Sequence, residues 1–325
     1  MISIVMIVGR RWRGHVGYRM TAWQDDDAMR RSFHYRDFPA ARVLAAKRGR
    51  QVSVCLPARN EAATIGATVK TICTELMGEA GIVDELLVVD DGSTDGTAEV
   101  ASDAGATVVA APDVLSEFGS EPGKGQAMWR GVHATRGDVI VFCDADIRHF
   151  DPAFVLGLLG PLLARDDVTF VKGCYDRPLD GRPGEGGRVT ELMARPLISV
   201  FFPHLAVLDQ PLAGECAATR DVFEAVPFVG GYGVDLGLLI DVAARFGTGG
   251  LVQCDLGRRV HRNRPLAELG AQALAVLEVA LVRAGLVGTD APWVATLLRP
   301  DAEPAPVTFI EHPPLADLPS PRKSA

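Results

Sequence analysis

Three polar turns, each closing a short apolar run, constrain this 325-residue chain more than any other feature of its sequence. Gln51 to Leu56 runs into Pro57-Ala58-Arg59-Asn60-Glu61, Glu85 to Val89 into Asp90-Asp91-Gly92-Ser93-Thr94-Asp95, and Asp138 to Cys143 into Asp144-Ala145-Asp146. Between them the period changes. Ala62, Ile65, Val69, Ile72, Cys73 and Leu76 recur at three and four residues, predicting a helix capped by Asn60. Ser93-Thr94-Asp95 offers caps for a second helix, Thr107 to Ala110 reads as a short strand, and Gly123-Lys124-Gly125 precedes a helix through Met128 and Val132. Another helix spans Phe154 to Leu163. Apolar strands alternating with helices predict a parallel sheet covered on both faces. Ligands of such sheets bind beyond the carboxyl ends of the strands, where these turns fall.

The second half continues the alternation less regularly. Strands are expected over Val168 to Tyr175, Gly214 to Thr219 and Leu251 to Leu256, and helices over Gly233 to Phe246 and Leu266 to Ala284. A loop from Arg177 to Gly187 holds four glycines and two prolines. The reading divides the chain into an N-terminal extension (1–49), a first half bearing the three polar turns (50–175), a second half with a long helix (176–290) and a tail (291–325), poorly ordered beyond about Pro313.

Charge and cysteine usage narrow the function. The net charge of −8 argues against a nucleic-acid-binding protein, because a phosphate-backbone footprint needs a basic surface. Residues 1–50 nevertheless carry 11 Lys and Arg against 4 Asp and Glu. An anionic ligand of the more acidic remainder needs a local basic cluster and a metal ion. Six cysteines at 55, 73, 143, 174, 216 and 254 include no Cys-x-x-Cys pair, so free, mostly buried thiols and a cytoplasmic location are expected. No apolar run reaches the roughly 18 to 20 residues of a membrane span. Ile2 to Val8 lacks a cleavage site; it is read as an edge strand or a tail, with Met20 an alternative start.

Asp144 and Asp146, two residues apart beyond a strand, are oxygen ligands suited to Mg²⁺ or Mn²⁺ carrying a diphosphate. Alone, Asp-x-Asp is more often a solvated acidic turn. Other phosphate readings fit worse: three residues separate Gly119 from Gly123, and Gly125 follows Lys124 where a P-loop requires Ser or Thr. No Gly-x-Gly-x-x-Gly opens a helix after the first strand.

Together the three turns resemble the nucleotide-sugar half of a GT-A glycosyltransferase. Gly186-Gly187-Arg188-Val189-Thr190-Glu191-Leu192, Pro211-Leu212-Ala213-Gly214-Glu215, Gly231-Tyr232-Gly233-Val234-Asp235 and His261-Arg262-Asn263-Arg264-Pro265 narrow the likeness. From about Arg50 to Ala284 the chain resembles the actinobacterial glucosyl-3-phosphoglycerate synthases, some of whose relatives make the mannosyl product. The resemblance implies an α/β, Rossmann-like GT-A fold, a mixed sheet flanked by helices with a smaller C-terminal acceptor-binding and helical region. It implies transfer of glucose or mannose from a UDP-, GDP- or ADP-sugar to the 2-hydroxyl of 3-phosphoglycerate, with retention, and, together with the apolar stripe of Leu266 to Ala284, a homodimer formed through that helix.

Residue roles follow from the same resemblance. Pro57, Ala58, Glu61 and Asp91 would hold base and ribose, Lys124 the diphosphate, and Asp144 with Ala145 the sugar or ribose. Asp146 and His261 would hold the metal. Gly187, Arg188 and Thr190 would form one anion-binding pole for the acceptor, and Asn263 with Arg259 or Arg264 the second. Asp235 would lie nearest the reacting centre, with Asp146 the other catalytic carboxylate. Two positions depart from the family pattern: Asp91 replaces Ser, which leaves the base open, and Asp235 replaces a Glu. Three alternatives remain: a polyprenyl-phosphate glycosyltransferase, which shares the first-half motifs but wants an apolar membrane-docking surface; a sugar-1-phosphate nucleotidyltransferase, which binds a nucleotide on a related sheet; and a catalytically silent nucleotide-sugar sensor, against which the intact Asp144, Asp146, His261 and Asp235 argue.

Overall fold

The computed structural model describes residues 32–178, 186–259, 265–288, 294–300 and 302–319. In chain order the elements are β1 (Ser32–His34), α1 (Ala40–Lys47), β2 (Val52–Ala58), α2 (Ala62–Glu75), β3 (Glu85–Asp90), α3 (Thr97–Asp103), β4 (Thr107–Ala110), α4 (Lys124–Ala134), β5 (Val139–Phe142), α5 (Ala153–Ala164) and β6 (Phe170–Asp176). There follow α6 (Arg195–Phe201), β7 (Cys216–Thr219), α7 (Arg220–Glu224), β8 (Phe228–Val229), α8 (Val234–Phe246), β9 (Leu251–Arg258), α9 (Leu266–Arg283), β10 (Val294–Arg299), β11 (Ala302–Thr308) and β12 (Glu311–His312).

Eight strands form one mixed sheet in the order β1-β9-β6-β7-β5-β2-β3-β4. The sheet is mixed, as the family resemblance implies, and departs from the parallel pattern of the strand–helix alternation at one strand: β7 runs antiparallel to both β5 and β6. The reason is the route between β6 and β7. Of the described residues between the two strands, Gly187, Thr190 and Leu212 line a cavity at the carboxyl end of the sheet. The next strand therefore enters from that end and runs back. The sheet passes through both expected halves without a break.

Both faces are covered because the central strands present apolar side chains to both of them. Val54, Leu56, Val88 and Val141 pack with Ile65, Val69, Ile72, Phe154 and Leu158 on one face. Cys55, Leu87, Val89 and Phe142 pack with Trp129, Phe223, Phe228 and Leu239 on the other. Each such side chain, fully buried, contributes about 1.5–3 kcal/mol. The six cysteines are free thiols, five of them buried. Among the described residues no helix is long and apolar enough to cross a membrane.

Two terminal segments do more than expected. Residues 32–49, assigned to the extension, supply an edge strand pairing Phe33 with Cys254, and Phe38, 4% exposed, seats against Gly160 of α5. Ile2 to Val8 and Met20 lie outside the described residues. Beyond Pro313, where a poorly ordered tail is expected, Leu315–Asp317 forms a single helical turn and Leu315 and Leu318 pack against the core. Residues 320–325 lie outside the described residues. The stretch just before Pro313 is held as well. Strand β12 pairs with β8, and His312 stacks on Trp129 at 4.5 Å between ring centroids. The Trp129 indole donates to the Pro313 carbonyl at 2.9 Å, and Arg283 bridges Glu311 and Asp241. A buried tryptophan with a polar tip needs such an acceptor, which the C-terminal segment provides.

Burial pushes the His312 imidazole down to about 4 from an ordinary value near 6.5. Its charged form is therefore favoured only on unfolding, and stability falls as pH drops from about 6.5 toward 4. Urea unfolding at pH 7.5 and pH 5 should show this loss reduced in His312→Phe. Trp129→Ala should cost about 3–5 kcal/mol at either pH.

Candidate active site

Three loops are tied together at the carboxyl ends of β2, β3 and β5. Asp91 N–H donates to the Ala58 carbonyl, and Asp91 Oδ2 accepts from Gly123 N–H at 2.7 Å. Asn60, expected to cap α2, instead adopts a left-handed φ of 57° and accepts from Thr94 N–H at 2.8 Å. Glu61 occupies the cap position, and Asp95 accepts from both Ala62 N–H and Thr97 N–H. Asn tolerates that backbone region better than most residues, so it serves the loop-to-loop bridge. Thr64 closes the third side by donating to the Ala145 carbonyl at 2.8 Å.

This frame encloses a cavity of about 360 Å³. Pro57, Ala58, Glu61, Asp91, Lys124, Asp144 and Ala145, all expected at the nucleotide sugar, line it together. So do Asp146, Arg59 and Tyr232. Burial pushes the Asp91 carboxyl up to about 6, against the Gly123 hydrogen bond and the Arg59 charge. Asp91 is 6% exposed, with Arg59 3.9 Å away.

A second cavity, about 180 Å³, adjoins the first. Gly187, Arg188 and Thr190 line one side, and Arg259, Asp235, Asp144 and Lys124 the other. Gly187 has φ +76°, a left-handed turn that favours glycine, from which the chain enters the helix containing the Thr190–Ala194 turn and α6. His261, Asn263 and Arg264 lie outside the described residues.

Carboxylates and cations alternate between the two cavities. Lys124 Nζ lies 3.0 Å from Asp144 Oδ1 and 3.1 Å from Asp235 Oδ2. Arg259 donates to Asp144 at 2.8 Å and to Asp146 at 2.6 Å, while its other nitrogen meets Glu215 at 3.1 Å and the Tyr175 hydroxyl at 2.6 Å. Expected as an open anion-binding arginine, Arg259 is only 2% exposed and committed to three carboxylates. Gly214 permits this closeness: a Cβ there would sit 2.2 Å from Asp144 Oδ1.

The charges set one another's ionisation. Burial opposes ionised Asp144, yet Lys124 and Arg259 hold it well below the ordinary carboxylate range. Burial likewise opposes charged Lys124, and Asp144 and Asp235 outweigh it and push the ammonium up. Glu215 is raised by burial in spite of Arg259.

Sequence reasoning passed over Glu215, Tyr175, Arg177 and Lys172 as site residues. Lys172 left a signal, since it is a lone charge in Phe170-Val171-Lys172-Gly173-Cys174-Tyr175 and is 1% exposed. Glu215 left the same signal, a lone charge in Ala213-Gly214-Glu215-Cys216-Ala217-Ala218, whereas Tyr175 resembles an ordinary core position, and only the fold reveals that Tyr175 donates to Glu215 at 2.6 Å.

The arrangement has close counterparts. Residues 53–198 match glycosyl transferase family 2. The glucosyl-3-phosphoglycerate synthase of Mycolicibacterium smegmatis is 49% identical over 259 residues, 78% of this chain and 84% of that protein. That of Petrotoga mobilis is 42% identical over 265 residues, 79% of this chain and 82% of that protein. The crystal structure of the Mycobacterium tuberculosis glucosyl-3-phosphoglycerate synthase with Mn²⁺, UDP-glucose and phosphoglyceric acid is similar at a TM-score of 0.78 and 43% identity, covering 86% of this chain and 95% of that one. The mannosyl-3-phosphoglycerate synthase of Rubrobacter xylanophilus gives 0.80 at 38% identity, over 89% and 97%. With its mixed sheet, its paired cavities and these relatives, the chain belongs to the glucosyl- and mannosyl-3-phosphoglycerate synthase family of GT-A glycosyltransferases.

Proposed function

We propose that the chain transfers glucose or mannose from a nucleotide-diphosphate sugar to the 2-hydroxyl of 3-phosphoglycerate, with retention at the anomeric carbon. One observation carries this reading: the two cavities share Lys124, Asp144, Asp146 and Tyr232 as a common wall. A donor in the larger and an acceptor in the smaller meet across that wall, which supplies the proximity a two-substrate transfer needs. Lys124 faces the diphosphate, Asp235 steadies the sugar or orients the acceptor, and Arg188 with Thr190 and the Gly187 turn takes one anionic pole of 3-phosphoglycerate. Asn263 belongs to the other pole. The acceptor oxygen attacks the anomeric carbon on the face the leaving phosphate departs, the bond to that phosphate breaks, and its oxygen takes the hydroxyl proton. A polyprenyl-phosphate acceptor fits poorly, since Arg188, Thr190, Arg259 and Lys124 make the second cavity polar.

The carboxylate pair suits a divalent cation. Asp144 Oδ2 and Asp146 Oδ1 converge on a single guanidinium nitrogen, so two hard oxygen donors already face one cationic point. Asp146, with His261, would hold Mg²⁺ or Mn²⁺. Bound there, the ion offsets negative charge developing on the leaving diphosphate.

Incubation with 3-phosphoglycerate, Mg²⁺ and a panel of UDP-, GDP- and ADP-sugars, followed by product identification, tests the reading. A glycosylated phosphoglycerate is expected from at least one donor, and its absence with every donor refutes the assignment. In the same assay Arg188→Ala should raise KM for 3-phosphoglycerate at least tenfold and leave the donor KM within threefold.

Asp91 bears on the base. A buried carboxylate accepts a ring N–H, which uracil and guanine present and adenine does not, so UDP- and GDP-sugars are favoured over ADP-sugars. Its acceptor form is lost as pH falls through about 6. Donor affinity should therefore weaken from pH 7.5 to pH 5, as read by calorimetry with an intact UDP- or GDP-sugar. In Asp91→Ser that dependence should flatten, and an unchanged profile would count against the contact.

A homodimer completes the proposal. The apolar stripe of α9 is largely used inside the chain, where Val276, Val279 and Ala280 are buried. The segments packed around α9 instead expose Leu192, Val200 and Leu298, beside Leu266 at the start of α9 itself. Light scattering should give twice the 34.7 kDa chain mass; a monomer at assay concentration would exclude the dimer. A cytoplasmic location agrees with the six free thiols.

A further inference from the structure

Asp235 is gripped from two sides by lysines of different character. Lys124 Nζ meets its Oδ2 at 3.1 Å, and Lys172 Nζ meets its Oδ1 at 3.4 Å. Lys124 is the first residue of α4, is 18% exposed, lines both cavities and shares its charge with Asp144. Lys172 is the reverse. Its side chain is 1% exposed, and its strand is hydrogen-bonded on both edges, pairing it with Cys216 of β7 and Gln253 of β9. The next residue leaves no slack, because a Cβ on Gly173 would come within 2.8 Å of Leu256 and 3.2 Å of the Glu215 carbonyl. The Lys172 ammonium is therefore a fixed point, whereas Lys124 sits where a ligand can reach it.

A charge buried this deeply costs several kcal/mol unless paired, so the protein has kept Lys172 against that cost in an otherwise apolar strand. Packing cannot be the reason, since Leu or Met fills similar volume without the penalty. The partner explains it. On the functional reading above, the donor diphosphate enters beside Lys124 and competes with Asp235 for its ammonium. Asp235 then keeps one cation.

We propose that Lys172 is a positioning residue that holds Asp235 by Oδ1, so that Oδ2 stays aimed into the cavity when Lys124 turns to the diphosphate. Lys124 is the exchangeable partner of the carboxylate and Lys172 the permanent one. An Asp side chain is short and has little reach of its own, so the direction of its free oxygen depends on how the other oxygen is tethered. Lys172 touches neither substrate and acts only through Asp235.

Steady-state kinetics of Lys172→Met and Lys172→Arg, with a crystal structure of Lys172→Met, test this. In Lys172→Met, kcat should fall at least 30-fold while KM for donor and acceptor stays within threefold, since misdirection of a reacting-centre group by about 1 Å costs about 100-fold. Lys172→Arg, which keeps the cation, should retain at least tenfold more kcat than the Met variant. In the crystal Asp235 should leave its present rotamer. Should Lys172→Met fail to fold, Lys172→Gln carries the same test, with folding checked by circular dichroism and thermal melting. A folded neutral variant with kcat within threefold of the unmodified enzyme overturns the proposal, as does a loss confined to KM or an unmoved Asp235. If the unmodified enzyme turns over no donor, the functional reading fails separately, and the position of Asp235 in the Lys172→Met crystal still decides the anchoring.

Discussion

The alternation of charge from Lys172 through Asp235, Lys124, Asp144 and Arg259 to Asp146 is the constraint around which this molecule is built. None of these groups is buried cheaply, and several are almost wholly removed from water. Coulomb attraction inside a protein repays desolvation only when geometry is good and the remaining lone pairs and protons are satisfied. Glu215 and Tyr175 meet part of that requirement behind Arg259, whose Nε is left buried without a hydrogen-bond partner among the described residues. Removing one member leaves its neighbours uncompensated, at about 3–5 kcal/mol for a buried pair. The network thus demands that β5, β6, β9, α4 and α8 arrive at one place with little tolerance.

The topology answers that demand. Asp144 follows β5, Lys172 and Tyr175 sit on β6, Arg259 follows β9, and Asp235 opens α8. Inserting β7 antiparallel between β5 and β6 brings Gly214 and Glu215 to the same end of the sheet. A parallel strand at that position would put its amino end, and Gly214 and Glu215 with it, at the opposite end of the sheet. The one irregular strand is therefore what closes the network, and Gly214 leaves the space that Asp144 occupies.

The sequence foretold some of this for identifiable reasons. Turns after apolar strands are legible because the strands fix where they fall, and the family resemblance those turns carry groups the seven nucleotide-sugar residues that line one cavity. The antiparallel strand was not legible, because a four-residue apolar run carries no direction. Asn60 misled for a related reason: the side chain that caps a helix equally well bridges two loops, and only the position of Thr94 decides between them. Arg259 looked like an open cation because its partners are more than 40 residues away in sequence. The tail beyond Pro313 reads as disordered from its prolines, yet Leu315 and Leu318 pack against the core cluster that contains Trp129, nearly 200 residues upstream.

A net charge of −8 in an enzyme of two anionic substrates is resolved by the same network. Acidity spread over a surface repels anions weakly, because solvent and salt screen it within about 8–10 Å. Inside the shared wall, each carboxylate is already matched by a lysine or arginine, so the site presents little uncompensated negative charge to an arriving diphosphate. A ligand anion there does not confront the carboxylates directly. It competes with them for cations, and the outcome depends on which cations can change partners. Lys124, at a helix start and partly exposed, can do so; Arg259, bound to three carboxylates and a phenol, and Lys172, pinned within the sheet, have far less freedom. Binding selectivity at this site therefore rests on the different freedom of its cations more than on their number.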